Sequence, residues 1–175
     1  MLELQAGNAL AHTAAAEIDL RLGNWAAGWP AFGWRFGTWP GTPPHHFCSI
    51  DADRLPKRWA GGSLKKSRLF LRAERSVVEQ LLLADLLPLV EKESRHLLME
   101  CDPRVSGLLA ASFPGVSIKL AGTTTEADLS AEGIEVASSL GDLAARYRNR
   151  SADFPARRRP GCRLAVRGGQ SAHGG

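Results

Sequence analysis

Apolar residues recur at helical spacing near the start of the chain. Those at intervals of three or four positions are Leu10, Ala14, Ala15, Ile18 and Leu22. This period predicts a helix from Asn8 to Leu22, and Gly23-Asn24 supplies a stop and a fresh N-cap for a second helix. We therefore expect residues 1–38 to form a helical hairpin.

The second predicted helix carries an aromatic stripe made of Trp25, Trp29, Phe32 and Phe36. Spacings of three and four residues place these rings on one helix face, and only Pro30 disturbs the pattern, because it removes a backbone donor. The stripe favours core packing against the preceding helix or the next domain. Its alternative is an interaction surface, in which aromatic rings stack on a sugar, a base or a partner.

Proline and glycine interrupt the chain repeatedly between residues 39 and 67. This composition predicts an irregular connector on the surface. His45, His46 and Cys48 lie in the connector, but no third or fourth ligand stands at useful spacing. We expect solvated loop residues there, and no metal or cofactor.

The segment from Arg68 to Val90 organises the rest of the chain. A short apolar run, Leu69 to Leu71, is followed by polar residues and then by a helix-length apolar stretch, which predicts strand, turn and helix. Ligands of α/β sheets bind beyond the carboxyl ends of the strands. The candidate site residues are therefore those of the turn: Glu74 as a catalytic base, and Arg72, Arg75 and Ser76 as ligand-binding residues. The alternative is that these charges are only solvated.

Strands and helices continue to alternate after this unit. Further strands are predicted at 97–100, 116–120 and 134–137, with helices at 103–112 and 140–147. This alternation predicts an α/β fold with a mainly parallel sheet covered on both faces. The predicted half-domain spans residues 68–154.

Composition limits the class of protein. The 175-residue chain has no apolar run long enough to span a bilayer and no signal peptide at its N-terminus, so we expect a cytoplasmic protein. Its three cysteines form no C-x-x-C pair, which favours reduced thiols over a disulfide framework or a zinc site. Cys101 is expected to be buried as a small hydrophobe.

The basic charge belongs to the end of the chain. Residues 1–143 carry a net charge of −3, whereas residues 144–175 carry +7. We expect residues 155–175 to be a disordered basic tail, consistent with coding read out of frame, and nucleic-acid binding by the folded part is not indicated. Non-specific RNA binding through the arginine-rich tail is a weaker alternative.

Several short motifs occur in the order found in one protein family. They are G-N-W-A-A-G-W-P-A-F-G-W-R-F from Gly23 to Phe36, A-E at Ala73-Glu74, L-x-x-E-C-D-P-R from Leu97 to Arg104, and S-L-G-D-L-A-A-R-Y from Ser139 to Tyr147. Together they resemble bacterial proteins in which tetratricopeptide repeats precede a glycosyltransferase-like domain of the heptosyltransferase or O-GlcNAc-transferase type. The likeness covers about Gly23 to Phe154, corresponding to the last repeat and the N-terminal Rossmann-like half.

The resemblance implies transfer of a sugar from a nucleotide sugar to a protein or glycan. Two departures lead us to expect incomplete activity in this form. The donor-binding second half is missing, and Ser76-Val77-Val78-Glu79 replaces the family's glycine loop, where β-branched residues block the close approach of a ligand. Whether the chain is an enzyme stays open. The alternative function is a non-catalytic protein-interaction or self-association module that uses the aromatic hairpin and an exposed sheet edge.

Overall fold

The computed structural model describes residues 7–36, 55–59, 61–74 and 76–155. It is a mixed α/β structure with a parallel five-stranded sheet, as the alternating pattern predicts. Several sequence predictions lie outside the described residues: those on His45, His46, Cys48, Arg75, connector residues 39–54 and tail residues 156–175.

The two N-terminal helices are α1 (Ala9–Leu22) and α2 (Trp25–Phe32), followed by a 3₁₀ turn at Gly33–Phe36. Asn8 caps α1 by accepting a hydrogen bond from the Ala11 amide, and Gly23 ends it with a left-handed φ of 82°. A Cβ on Gly28 would lie 2.7 Å from Leu20 Cδ2, so this glycine allows the helices to approach closely. The two helices predicted from the pattern are therefore present.

The sheet is formed by β1 (Lys57–Arg58), β2 (Arg68–Arg72), β3 (His96–Cys101), β4 (Ser117–Leu120) and β5 (Val136–Ser139). The spatial order is β1-β5-β2-β3-β4, and every pairing is parallel. Strands β2 to β5 confirm the four predicted strands. The connector differs from its prediction, because it contributes β1 and because Leu64 is fully buried in the core. Two exposed strand residues carry no hydrophobic alternation, which explains why β1 was missed.

Five helices connect or follow strands β2 to β5: α3 (Val77–Leu83), α4 (Leu87–Glu93), α5 (Pro103–Ser112), α6 (Glu126–Ala131) and α7 (Leu140–Tyr147). The single helix predicted after β2 is divided by a 3₁₀ turn at Ala84–Leu86, with Pro88 in the first turn of α4. Helix α6 was not predicted, since it is short, polar and buries only Leu129.

The sheet separates two unequal cores. We call the face with Leu69, Leu71, Leu97 and Met99 the first face; it is covered by the hairpin, α4, α5 and α7. The second face carries Phe70, Leu98 and Ala137 under Leu129 of α6. Within the described ranges, no helix is both long and apolar enough to cross a membrane.

Candidate functional site at the ends of strands β2 and β5

The chain order of the sheet reverses between β2 and β5. From β2 the chain proceeds outward to β3 and β4, and it then returns to place β5 on the opposite side of β2. Such a switch point opens a crevice beyond the carboxyl ends of the two strands, where ligands of parallel α/β sheets bind. Glu74 follows β2, and Ser139 ends β5, so both residues border this crevice.

The Glu74 carboxylate is completely buried and receives three hydrogen bonds. Arg35 donates Nε to Oε2 and Nη2 to Oε1, both at 3.0 Å, in a bidentate pair. The Gly141 amide donates to Oε1 at 2.7 Å. Both carboxylate oxygens are therefore engaged by groups of the chain itself.

Arg35 reaches this position from the 3₁₀ turn of the hairpin and is 3% exposed. Its Nη2 lies 2.6 Å from Ser139 Oγ, and its Nη1 donates to Asp142 Oδ1 at 3.2 Å and to the Phe32 carbonyl at 3.0 Å. The guanidinium carbon also lies 4.4 Å from the centre of the Phe32 ring. Arg35 thus joins the hairpin to the sheet through several hydrogen bonds and ion pairs.

The beginning of α7 is shaped around this guanidinium. A Cβ at Gly141 would lie 2.6 Å from Arg35 Nη2 and 2.9 Å from Arg35 Cζ. Ser139 caps the same helix by accepting from the Asp142 amide at 3.3 Å. We call Glu74, Ser139, Gly141 and Asp142 the guanidinium pocket.

Charges in and beside the guanidinium pocket are balanced. Asp142 accepts from Arg35 through Oδ1 and from Arg58 through Oδ2, the latter at 3.1 Å. Two carboxylates thus face two guanidinium groups, while the Glu74 carboxylate lies against the positive end of α7. Desolvating these charges is tolerable because each has close partners of opposite sign.

Gln80 supports the site from α3 and is also fully buried. Its Nε2 donates to the Glu74 carbonyl at 2.9 Å, and its Oε1 accepts from the Asp102 amide at 2.9 Å. This amide side chain therefore ties together the ends of β2 and β3. Arg35 is part of the motif from Gly23 to Phe36, but the sequence placed neither Arg35 nor Gln80 at the site. The available signal in each case was a polar residue within an otherwise apolar helical pattern.

Two other predicted site residues, Arg72 and Ser76, lie at the same end of β2 as Glu74. Ser76 caps α3: its Oγ accepts from the Glu79 amide at 3.1 Å, and its own amide donates to Glu79 Oε2 at 2.9 Å. Arg72 is half-buried at the end of β2, in register with Ser139 of β5. Ligand binding by these two residues stays a prediction.

Strand β3 ends in an acidic cap beside a buried thiol. Hydrogen bonds from Arg104 lower the pKa of Asp102 to about 2. Burial, together with the charges of Asp102 and Glu100, raises the pKa of Cys101 to about 11. The Cys101 thiol is therefore protonated at neutral pH, which disfavours its use as a nucleophile.

The aromatic stripe points into the protein. Trp29 and Phe32 are buried, and Trp29 Nε1 donates to the Arg148 carbonyl at 2.7 Å. The ring centre of Trp25 lies 4.6 Å from that of Phe154. These rings pack the hairpin against α7 and the segment after it, as the core interpretation predicts. The side chain of Phe36 lies outside the described part of the chain.

No group of three or more metal-ligating side chains converges within the described residues. Comparisons with protein-family models, with curated proteins and with solved structures gave no match to this chain. The assignment of function therefore depends on the geometry of the site and on the sequence motifs.

Proposed function

We propose that this chain is the N-terminal Rossmann-like half of a glycosyltransferase-like protein, preceded by a tetratricopeptide-like hairpin, and that it does not transfer sugar by itself. The strand order β4-β3-β2-β5 supports the first part, because it has the 3-2-1-4 sequence of doubly wound nucleotide-binding sheets. The Gly-Asn turn and the close approach of the two helices at Gly28 support the tetratricopeptide-like hairpin.

The hydrogen bonds to the Glu74 carboxylate are the main reason to propose that this chain has no transferase activity by itself. A general base must present a free lone pair within hydrogen-bond reach of the substrate proton. The Glu74 carboxylate is buried, and Arg35 and Gly141 bind both of its oxygens. In this arrangement Glu74 holds the hairpin on the sheet, and the crevice contains an arginine of the chain in place of a ligand.

Nucleotide-sugar titration followed by NMR tests the proposal. The Gly141 amide reports directly on Glu74, so its resonance should stay unchanged when UDP-, GDP- or ADP-sugars are added to millimolar concentration. Arg35→Gln serves as the comparison variant, because it removes the guanidinium and leaves the carboxylate. Saturable binding to the wild-type chain that Glu74→Gln abolishes would refute the inactive assignment.

A second candidate function, protein interaction, is favoured by the outer surface of α1. Three of its large apolar side chains face solvent, with Leu22 72%, Leu10 59% and Ile18 58% exposed, whereas the small Ala16 faces the interior. At the sheet edge, Leu120 of β4 is also exposed. Adjacent apolar side chains of this kind mark interaction surfaces. We infer from this alternative that the chain self-associates through the exposed side chains of Ile18 and Leu22 on α1.

Light scattering over a concentration series tests this second candidate. The double variant Ile18→Gln/Leu22→Gln should shift the chain toward monomer. Leu108→Gln, at an equally exposed leucine on α5, is the matched control and should leave the mass unchanged. A wild-type chain that stays monomeric throughout the series would contradict self-association.

A further inference from the structure

A cavity of about 450 Å³ lies between α2 and α7, beside β1. Its size is within the usual range for small-molecule sites. Its lining includes Trp29, Gly33, Arg58, Trp59, Asp142 and Ala145. This cavity is separate from the guanidinium pocket, although Asp142 contributes to both.

Two indole rings in the cavity wall are held by hydrogen bonds of their own. Trp29 Nε1 donates to the Arg148 carbonyl at 2.7 Å, and Trp59 Nε1 donates to the Gly62 carbonyl at 3.0 Å. Because these bonds fix the rings, a ligand would not have to order them on binding. Fixed aromatic surfaces favour a flat, apolar or aromatic molecule.

An exposed guanidinium with unused donors lies in the cavity wall, beside a carboxylate. Asp142 already accepts hydrogen bonds from two arginines, and its side chain is 15% exposed. Arg58 uses one nitrogen for Asp142, and its side chain is 70% exposed. A guanidinium has five N–H donors, so Arg58 has further donors for an anion.

We propose that this cavity binds a small planar aromatic molecule that carries an anionic group, either carboxylate or phosphate. The ring packs against the indoles of Trp29 and Trp59, and the anion binds the guanidinium of Arg58. The apolar wall supplies burial, and the charge-assisted hydrogen bond supplies selectivity for the anion. The assignment does not depend on the transferase proposal.

Calorimetric titration with three probes that share one ring tests this site. Indole-3-acetate and 3-indoxyl phosphate represent the two anion sources, and indole is the neutral reference. Both anions should bind about tenfold more tightly than indole, and the tighter of the two identifies the preferred group. Failure of both anions to bind the wild-type chain at millimolar concentration would overturn the proposal.

Matched variants separate the contribution of the Arg58 charge to the binding affinity from the contribution of the cavity space. Arg58→Gln should reduce the affinity for both anions to that for indole. Arg104→Gln should change nothing, since Arg104 is an equally exposed arginine paired with an aspartate outside the cavity. Ala145→Leu should narrow the cavity and weaken binding of all three probes, with retained fold checked by circular dichroism. Equal effects of the two arginine variants, or unchanged binding to Ala145→Leu, would contradict the site.

Discussion

The two faces of the sheet are stabilised by different means. On the first face, apolar residues from the hairpin and three helices form a continuous core around Leu71, Leu97 and Met99. On the second face, the core formed by the described residues is smaller and combines Phe70, Leu98 and Ala137 with Leu129 of the short helix α6. Polar contacts then hold α6 to the sheet: Lys119 pairs with Asp128 at 3.2 Å, and Arg68 Nε donates to the Glu132 carbonyl at 2.6 Å.

This difference indicates where the protein opens first. Burial of apolar surface supplies most of the favourable free energy of folding, whereas an exposed ion pair contributes less than about 1 kcal/mol. Elements with few buried apolar contacts exchange their amide protons through local opening. We therefore expect the second face to be locally less stable than the first.

Truncation of neighbouring leucines on β3 compares the faces directly. Leu97 points to the first face and Leu98 to the second, and both are essentially fully buried. Leu97→Ala should lower the free energy of unfolding by about 4 kcal/mol and Leu98→Ala by about 2–3 kcal/mol, because the thin cover of α6 can collapse into the space. Urea denaturation measures both values, and a larger loss for Leu98→Ala would contradict the comparison.

A pair of helical glycines tests the packing at the edge of the first face. Gly141→Ala places a methyl group against Arg35, so it should destabilise the fold by about 1–3 kcal/mol. Gly107→Ala on α5 meets nothing within 4 Å and should stabilise it by about 0.5–1 kcal/mol. Thermal denaturation distinguishes the two signs. Stabilisation by Gly141→Ala would show that the guanidinium does not occupy the described position.

Acid should loosen the second face through Asp128. Hydrogen bonds from Thr125 and Lys119 lower the pKa of this carboxyl from its ordinary 3.8 to about 2. The stabilisation is present above the ordinary pKa of 3.8 and is lost as the pH falls toward 2, because in this window the unfolded state binds a proton that the folded state does not. Amide exchange in α6 should accelerate within this window.

Asp128→Asn is the control for the acid effect. It should remove the pH dependence from α6 but leave the acid transition at the start of α5, where Asp102 also has a pKa of about 2. Acid-dependent exchange in α6 that persists in Asp128→Asn would assign the effect to another group.

The smallest expected effect concerns a buried thiol of the first face. Because burial raises the pKa of Cys101 to about 11, alkylation by iodoacetamide at pH 8 should leave this residue unmodified in the folded chain. Peptide mapping after alkylation in native buffer and in urea gives the comparison. Complete native-state modification of Cys101 would contradict its placement in the core.

The parts of this fold that were predictable depend on local patterns. The apolar run at Leu69–Leu71 predicts β2, and Pro103 in a first helical turn predicts the start of α5, because neither inference needs a distant partner. The sequence also predicts that the turn after this strand lies beyond its carboxyl end, and Glu74 stands there. What fills the switch-point crevice was not predicted.

The unpredicted parts depend on tertiary contacts or on weak local signals. Arg35 and Glu74 are separated by 39 positions, and nothing in either segment indicates that they pair. Helix α6 lacks an apolar stripe, so only its capping box at Thr125 marks its beginning. The bulky residues of α1 suggest a single inward face, yet Ile18 and Leu22 are exposed and Leu20 packs against Gly28 of α2.

A double-mutant cycle on Arg35 and Glu74 tests the central claim most directly. Arg35→Met leaves the buried Glu74 carboxylate without its guanidinium partner, and Glu74→Gln leaves the buried guanidinium without its carboxylate. Each single variant should therefore lower the free energy of unfolding by about 3–5 kcal/mol. The double variant should lose at least about 2 kcal/mol less than the sum of the two, because it strands neither partner of the pair. Losses that add to within about 0.5 kcal/mol would contradict the claim that Arg35 occupies the Glu74 site.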